Sequence, residues 1–375
     1  MDAALQHLTD QIKSAATQKT PLCIRGSGSK DFYGEPCSGE LLDLGAWRGI
    51  TAYEPTELVV TARAGTPLAE LEAALAEKGQ CLAFEPPRFG DGGTVGGMVA
   101  AGLSGPARAS AGGVRDYVLG VQLINGRGEH LTFGGQVMKN VAGYDVTRLM
   151  VGSLGCLGAL TEVSIKVLPV APAQATLVFE VDQARALTQL HRWGGQPLPL
   201  NASCWVQDTT TPGNPELLFV RLRGAAAAVD AAIATMSRDL PGKMVDAAQA
   251  DRDWTACRDL RLPFFTTAPA DDYVLWRLSV PQTTPALDLP WPQLIEWHGG
   301  QRWLWAPLNA QVRLRELTES VGGFSTIFIA TESYKISASG RFSPLNAATM
   351  AVHRRLKAEF DPAGILNPGR LYPGL

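Results

Sequence analysis

Residues 84–120 read FEPPRFGDGGTVGGMVAAGLSGPARASAGGVRDYVLG, and this stretch decides how the first half of the chain folds. Pro86 and Pro87 stiffen its entry. Gly92, Gly93, Gly96 and Gly97 then bracket Thr94 and Val95 ahead of a run of small residues from Met98 to Gly102. Such a chain lies flat against a ring system, because no side chain holds its backbone away. If Val95 to Gly102 open a helix or tight turn, the unpaired N–H groups of that turn face whatever lies over the glycines, which suits a pyrophosphate or an electron-rich ring edge. A close-packed turn of small residues fits the same letters.

Two further glycine-rich segments flank it. RGSGSKDFYG, Arg25 to Gly34, follows an apolar run and places Gly26 and Gly28 where consecutive N–H groups can converge on an anion. It is not a dinucleotide fingerprint, since the third glycine of G-x-G-x-x-G falls on Asp31, and no G-x-x-x-x-G-K-[ST] loop is present. An ordinary glycine turn explains this loop equally well. MKNVAGYDVTRLMVGSLGCLGALTEVSIKVLP, Met138 to Pro169, offers Asp145 as a helix cap, and Gly152, Gly155 and Gly158 as tight-turn positions before a strand.

Around these segments, short apolar runs at Leu22–Ile24, Leu41–Leu44 and Leu58–Ala62 read as strands. Thr66 and Pro67 are expected to cap and start a helix carrying Leu68, Leu71 and Leu75, closed by Gly79. Leu119–Ile124 and His130–Phe133 flank Asn125-Gly126-Arg127-Gly128 as a hairpin. Val163, Ile165 and Val167 alternate with Glu162, Ser164 and Lys166 as in a half-buried strand. Beyond Pro169 the texture changes, and every tryptophan but Trp47 lies past residue 190. Strands at Leu177–Val181, near Ser203 and at Leu217–Leu222, with helices at Ala184–Trp193 and Ala225–Leu240, resemble a ferredoxin-like β-α-β-β-α-β unit. Extra strands are read at Tyr273–Val280, Leu294–Trp297, Arg302–Trp305 and Phe324–Ile329, and a last helix at Leu345–Phe360 is stopped by Asp361-Pro362.

The 375 residues, 46% hydrophobic, exceed what one core usually organises. A net charge of −3 with mixed signs leaves no footprint for nucleic acid or an anionic membrane. Leu5, Leu8 and Ile12 near the start share a helical face without the regions of a signal peptide, so the expected location is cytoplasmic. Six scattered cysteines fit neither a zinc site nor a cluster ligand run. The five histidines, His7, His130, His191, His298 and His353, are equally dispersed, so no metal site is expected.

Taken together, the three glycine segments resemble the FAD-binding domain shared by vanillyl-alcohol oxidase and p-cresol methylhydroxylase, within the glycolate oxidase and D-lactate dehydrogenase branch. The C-terminal FDPAGILNPGRLYP, Phe360 to Pro373, strengthens the likeness. It covers about residues 20 to 170 and 345 to 373 and is weak between them. The fold class it implies is α+β: a PCMH-type FAD-binding domain of two α/β subdomains over 1–170, a shortened ferredoxin-like α+β cap domain over 171–344, and a segment over 345–375 returning to the first domain. The resemblance assigns the pyrophosphate to Gly26, Ser27, Gly28, Ser29, Gly93 and Thr94, and places Arg25, Lys30, Pro86, Gly92, Gly96 and Gly97 among the other cofactor-binding residues. Arg115, Asp116, Gly152, Gly155, Leu157, Gly158 and Thr161 fall where the family contacts adenine, ribose and the flavin ring, and Asn367 falls on its terminal motif.

Covalent relatives attach FAD through a histidine in the first loop. Ser29 stands at that position here, which implies non-covalent FAD. The histidine-rich motif of the hydroxy-acid dehydrogenases is missing from the second half. The resemblance therefore implies a glycolate oxidase subunit taking part in oxidation of glycolate to glyoxylate. Its partners would be a longer flavoprotein D subunit and an iron–sulfur F subunit, with any inner-membrane contact peripheral and through those partners. Two alternatives stay open: a self-sufficient oxidoreductase using Arg88, Arg341, Lys335 and Tyr334 for a carboxylate and Glu85 as base, or an assembly subunit that retains the flavin fold without catalysis.

Overall fold

The computed structural model describes residues 2–90, 92–135, 145–331, 334 and 340–375. They form two compact units, one of residues 1–103, 113–169 and 336–375, the other of 104–112 and 170–335. The division differs from the sequence reading at two points. Residues 104–112 sit with the second unit, and the chain returns to the first at residue 336 rather than 345.

The first unit opens with α1 (Ala3–Gln18), whose Leu8 and Ile12 are buried. The parallel pair β1 (Leu22–Arg25) and β2 (Glu40–Asp43) follows. Next come β3 (Ile50–Glu54), β4 (Val59–Arg63), α2 (Leu68–Ala76), the short β5 (Gln80–Cys81) and α3 (Val95–Ala101). After a single turn α4 (Arg108–Ala111), which belongs to the second unit, the chain forms β6 (Val118–Ile124), β7 (His130–Gly134), the turn α5 (Thr147–Met150), β8 (Ala159–Lys166) and β9 (Leu168–Pro169). The antiparallel sheet runs β3-β4-β8-β6-β7. Leu68, Leu71 and Leu75 of α2 and Val95, Met98 and Val99 of α3 pack on its Val60, Val121, Val163 and Ile165.

Two local expectations are corrected. Thr66 does not cap α2: its Oγ1 accepts from Gly49 N and donates to Arg63 O, so Pro67 occupies the cap position with no side-chain bond. β8 lies in mid-sheet and is buried beyond its core face: Ser164, on the side opposite Val163 and Ile165, is 7% exposed and 2.9 Å from Thr61 Oγ1 of β4. A buried hydroxyl pair satisfies itself and therefore mimics a solvent-facing alternation in sequence.

The second unit runs β10 (Ala173–Glu180), α6 (Gln183–Gly194), β11 (Leu200–Gln207), β12 (Glu216–Gly224), α7 (Ala226–Asp239) and β13 (Gly242–Met244). Their spatial order, β13-β10-β12-β11, is that of a ferredoxin-like unit with every neighbour antiparallel. Helices α8 (Ala247–Arg258) and α9 (Pro263–Thr266) lead to β14 (Tyr273–Ser279), β15 (Gln293–Glu296), β16 (Gln301–Pro307), α10 (Gln311–Ser320) and β17 (Phe324–Ile329). The added strands extend the sheet to eight in the order β15-β16-β14-β17. Trp303 of β16 packs within this sheet: it is 3% exposed, and its Nε1 donates to buried Glu296 at 2.6 Å.

The last helix, α11 (Ala347–Phe360), belongs to the first unit, and Asn346 caps it by accepting from Thr349 N at 2.8 Å. Residues beyond it dock against β1 through an isolated bridge from Leu22 to Leu366 and bonds from Leu22 N to Ile365 O and from Asn367 N to Leu22 O.

Candidate functional site

A cavity of about 510 Å³ opens within the first unit, between β1, the loop that follows it and the glycine stretch at α3. Gly26, with no side chain, lies so close to Thr94 that a Cβ there would come within 2.6 Å of Thr94 Oγ1. A Cβ on Gly92 would sit 3.0 Å from Ser27 Cβ. The two loops, far apart in sequence, are therefore stacked. On the other wall Gly155 takes φ +75° beside Asn367, whose Nδ2 donates to Leu154 O at 2.6 Å and whose Oδ1 accepts from Ile24 N at 2.7 Å.

The donors come from the first loop rather than from the helix. Val95 N bonds Thr66 O, Gly96 N bonds Ala64 O at 2.7 Å, and Gly97 N bonds Thr94 Oγ1 at 3.2 Å, so the first turn of α3 is already satisfied. This corrects the expectation that its N–H groups stay open. Among the described residues, the N–H groups of Gly26, Ser27 and Gly28 make no hydrogen bond within the fold. Such a run is able to form a concave anion site, and Arg25, Lys30 and Arg370 line the same cavity with Asp31, the one carboxylate among the described residues that line it. A diphosphate fits this donor set.

The C-terminal residues hold the loop in shape. Arg370, 8% exposed, donates from Nη1 to Glu35 O at 2.6 Å and from Nη2 to Lys30 O and Asp31 O at 3.3 and 3.1 Å. Arg341 N donates to Glu35 Oε1 at 2.6 Å and its Nη1 to Phe32 O at 2.5 Å. Below them Lys357 Nζ reaches Asp361 Oδ2 at 2.7 Å, Leu366 O at 2.6 Å and Cys156 O at 2.9 Å. Asp361 in turn accepts from Ile365 N and Leu366 N. Read in sequence as part of a helix stop, Asp361 is a buried hub.

Of the residues assigned by sequence, Arg25, Gly26, Ser27, Gly28, Ser29, Lys30, Thr94, Gly96, Gly97, Gly155, Gly158 and Asn367 line this one cavity. The others lie outside its lining. Gly93 packs on Leu68 and Arg88, Pro86 is buried, and Leu157 packs against the core. Gly152 N bonds Val99 O, Thr161 O accepts from Trp47 Nε1, and Arg115 and Asp116 are exposed. Met138 to Tyr144 lie outside the described residues. Sequence reasoning passed over Cys23, Cys37, Ala64 and Arg370, which also line the cavity. Only the terminal motif around Arg370 carried a signal for any of them.

Burial pushes the Cys37 thiol up to about 12, aided by the neighbouring Cys23, and burial also raises Cys156. These thiols stay protonated at neutral pH and are poor nucleophiles. The carboxylate-binding candidates are engaged elsewhere: Arg88 pairs with Glu72, Arg341 holds the first loop, and Tyr334 packs against the core of the second unit. Glu85 bonds Leu82 O through its N–H at φ +49°. Lys335 lies outside the described residues. Among the described residues no three His, Cys, Asp or Glu side chains are grouped to hold a metal, and no helix is long and apolar enough to cross a membrane.

Residues 4–134 match the family described as FAD binding domain, and residues 344–371 match the C-terminal domain of FAD linked oxidases. The chain is 45% identical over 370 residues to the glycolate oxidase subunit GlcE of Escherichia coli (strain K12), covering 99% of this chain and 98% of that one. It is 30% identical over 188 residues to the glycolate oxidase subunit GlcD of Bacillus subtilis (strain 168), covering 48% of this chain and 40% of that one. Among solved structures, 4-ethylphenol oxidase from Gulosibacter chungangensis superposes with a TM-score of 0.70 at 15% identity, over 98% of this chain and 88% of that one, a likeness of fold.

Proposed function

The chain belongs to the GlcE family of FAD-dependent oxidoreductases, and from that premise we propose that it is the subunit of a glycolate-oxidising complex that holds FAD non-covalently in the cavity of its first unit. The observation that carries the proposal is the run of open N–H groups at Gly26, Ser27 and Gly28, with Gly26 packed on Thr94, in a cavity that Arg25, Lys30 and Arg370 also line. There the loop residues would hold the diphosphate, while Gly155, Gly158 and Asn367 would border the rest of the nucleotide. When bound, FAD supplies a two-electron acceptor for the hydride given up by a CH–OH donor. The absence of histidine from the described residues that line the cavity and the protonated state of Cys37 favour an exchangeable cofactor.

Glycolate would give up a hydride from carbon and a proton from its hydroxyl, leaving glyoxylate. The engagement of Arg88 and Arg341 in the fold favours a partner-assisted reaction over a self-sufficient enzyme. The partners would be a GlcD-like flavoprotein and an iron–sulfur subunit, through which any membrane contact would run. Purifying the chain alone and together with its partners tests this. FAD that copurifies with the lone chain and is bleached by glycolate only in the complex is the expected result. Bleaching in the lone chain at the rate of the complex would make it a complete enzyme, and a lone chain without flavin would make it an assembly subunit.

A further inference from the structure

The second unit contains a cavity of its own, of about 360 Å³, between its sheet, α8 and the segment around Pro263. Val206, Phe219, Leu294, Trp254 and Phe264 give it an apolar, partly aromatic wall. Trp254 is fixed in place: its Nε1 donates to Thr176 Oγ1 at 3.0 Å, and Arg221 covers its ring at 4.9 Å. The polar lining carries one sign of charge. Asp208 and Asp253 border the cavity, and no lysine, arginine or histidine is among the described residues that line it.

Asp208 is held as an anion. Burial alone would raise its carboxyl, but bonds from Thr210 N, Thr210 Oγ1 and Thr211 Oγ1 at 2.9, 2.6 and 2.7 Å outweigh it and lower the carboxyl below its ordinary value. In the wall lies Gln293, 6% exposed. Its Nε2 donates to Leu287 O at 3.3 Å, whereas its Oε1 has no hydrogen-bond partner. A buried acceptor without a donor is uncommon in a finished fold and is satisfied when a ligand or water supplies the N–H or O–H.

We propose that this cavity binds a small organic cation, an amine or ammonium carried on an apolar and preferably flat body of about ten non-hydrogen atoms. The wall takes the apolar body, the two carboxylates set the sign of the charge, and the ammonium supplies the donor that the lining lacks. Hydroxy acids are repelled by the same carboxylates, so the site is separate from the oxidation of glycolate.

Titration calorimetry on the full chain with phenethylamine, 2-phenylethanol and 3-phenylpropionate separates body from charge. The amine is expected to bind about tenfold tighter than the alcohol, with the acid weakest. Combining Asp208→Asn with Asp253→Asn should bring the amine down to the alcohol's affinity, and Val206→Trp should abolish binding of all three. The isosteric Asn pair keeps the test decisive even if Val206→Trp fails to fold. Equal binding of the three probes, no binding at millimolar concentration, or an amine preference that survives the Asn pair would overturn the proposal. So would loss of amine binding when the chain is copurified with its partners, because a partner segment would then be the occupant.

Discussion

Lys357 is 8% exposed and sits at the junction of three chain segments, with Asp361, 1% exposed, as its counter-charge. Removing one member of a buried, hydrogen-bonded pair leaves the other without compensation, which costs more than the pair itself contributes. Lys357→Met is therefore expected to destabilise the first unit by about 3–5 kcal/mol in urea unfolding, whereas a surface substitution such as Arg355→Met should change stability by about 0.5 kcal/mol or less. An equal, small effect for both would show that the hub does not hold the C-terminal segment. Residues of this kind were hard to read from sequence. Lys357, Glu35 and Glu296 are charged and default to the surface, and only the folded chain supplies the carbonyls and N–H groups that make their burial tolerable. Glycines misled in the other direction: Gly93 packs on Leu68 instead of opening onto the cavity, because a glycine marks close approach without naming the neighbour.

The loop from Gly26 to Glu35 has little regular structure, and its shape is imposed by carbonyl bonds from Arg370. Arg370→Ala should loosen the loop and weaken FAD binding about tenfold, as a fluorescence titration of apoprotein would measure, and should lower apo stability by about 1–3 kcal/mol for the carbonyls it leaves bare. Arg370→Lys should recover only part of the loss, since one ammonium nitrogen cannot stand at the two separate positions, Nη1 and Nη2, from which the guanidinium reaches these carbonyls. Unchanged FAD affinity in the alanine variant would remove this positioning role. Elements with a regular pattern were legible: β1, α2, the β6–β7 hairpin and the ferredoxin-like unit all follow from apolar periodicity and turn residues. Helices α8 and α10 were not. Their buried sides are sparse, Ala250, Trp254 and Cys257 in one and Leu314 and Thr318 in the other, among charged residues that blur the helical period.

Across the whole molecule, residues 104–112 belong to the second unit because Trp297 and His298 hold them there. Trp297 Nε1 donates to Gly105 O at 3.0 Å, and His298 spans Ser203 Oγ at 3.0 Å and Ser110 Oγ at 2.9 Å. Burial lowers the His298 imidazole to about 4, below the 6.5 of an unfolded chain. The folded state thus favours the neutral ring. Its contribution is present above about pH 6.5 and is lost as pH falls toward 4, by at most about 3 kcal/mol. Urea midpoints of His298→Gln should lose less between pH 7 and pH 5 than those of the unsubstituted chain, and parallel slopes would contradict this reading.

All of the functional reading rests on one cavity being closed by the contact between Gly26 and Thr94. The most direct measurement is the flavin absorbance of purified Gly26→Val set against the unsubstituted chain, with circular dichroism to confirm that both are folded. A folded variant with at least about tenfold less bound FAD is the predicted result. Full flavin content in the folded variant would place the cofactor elsewhere and contradict the account.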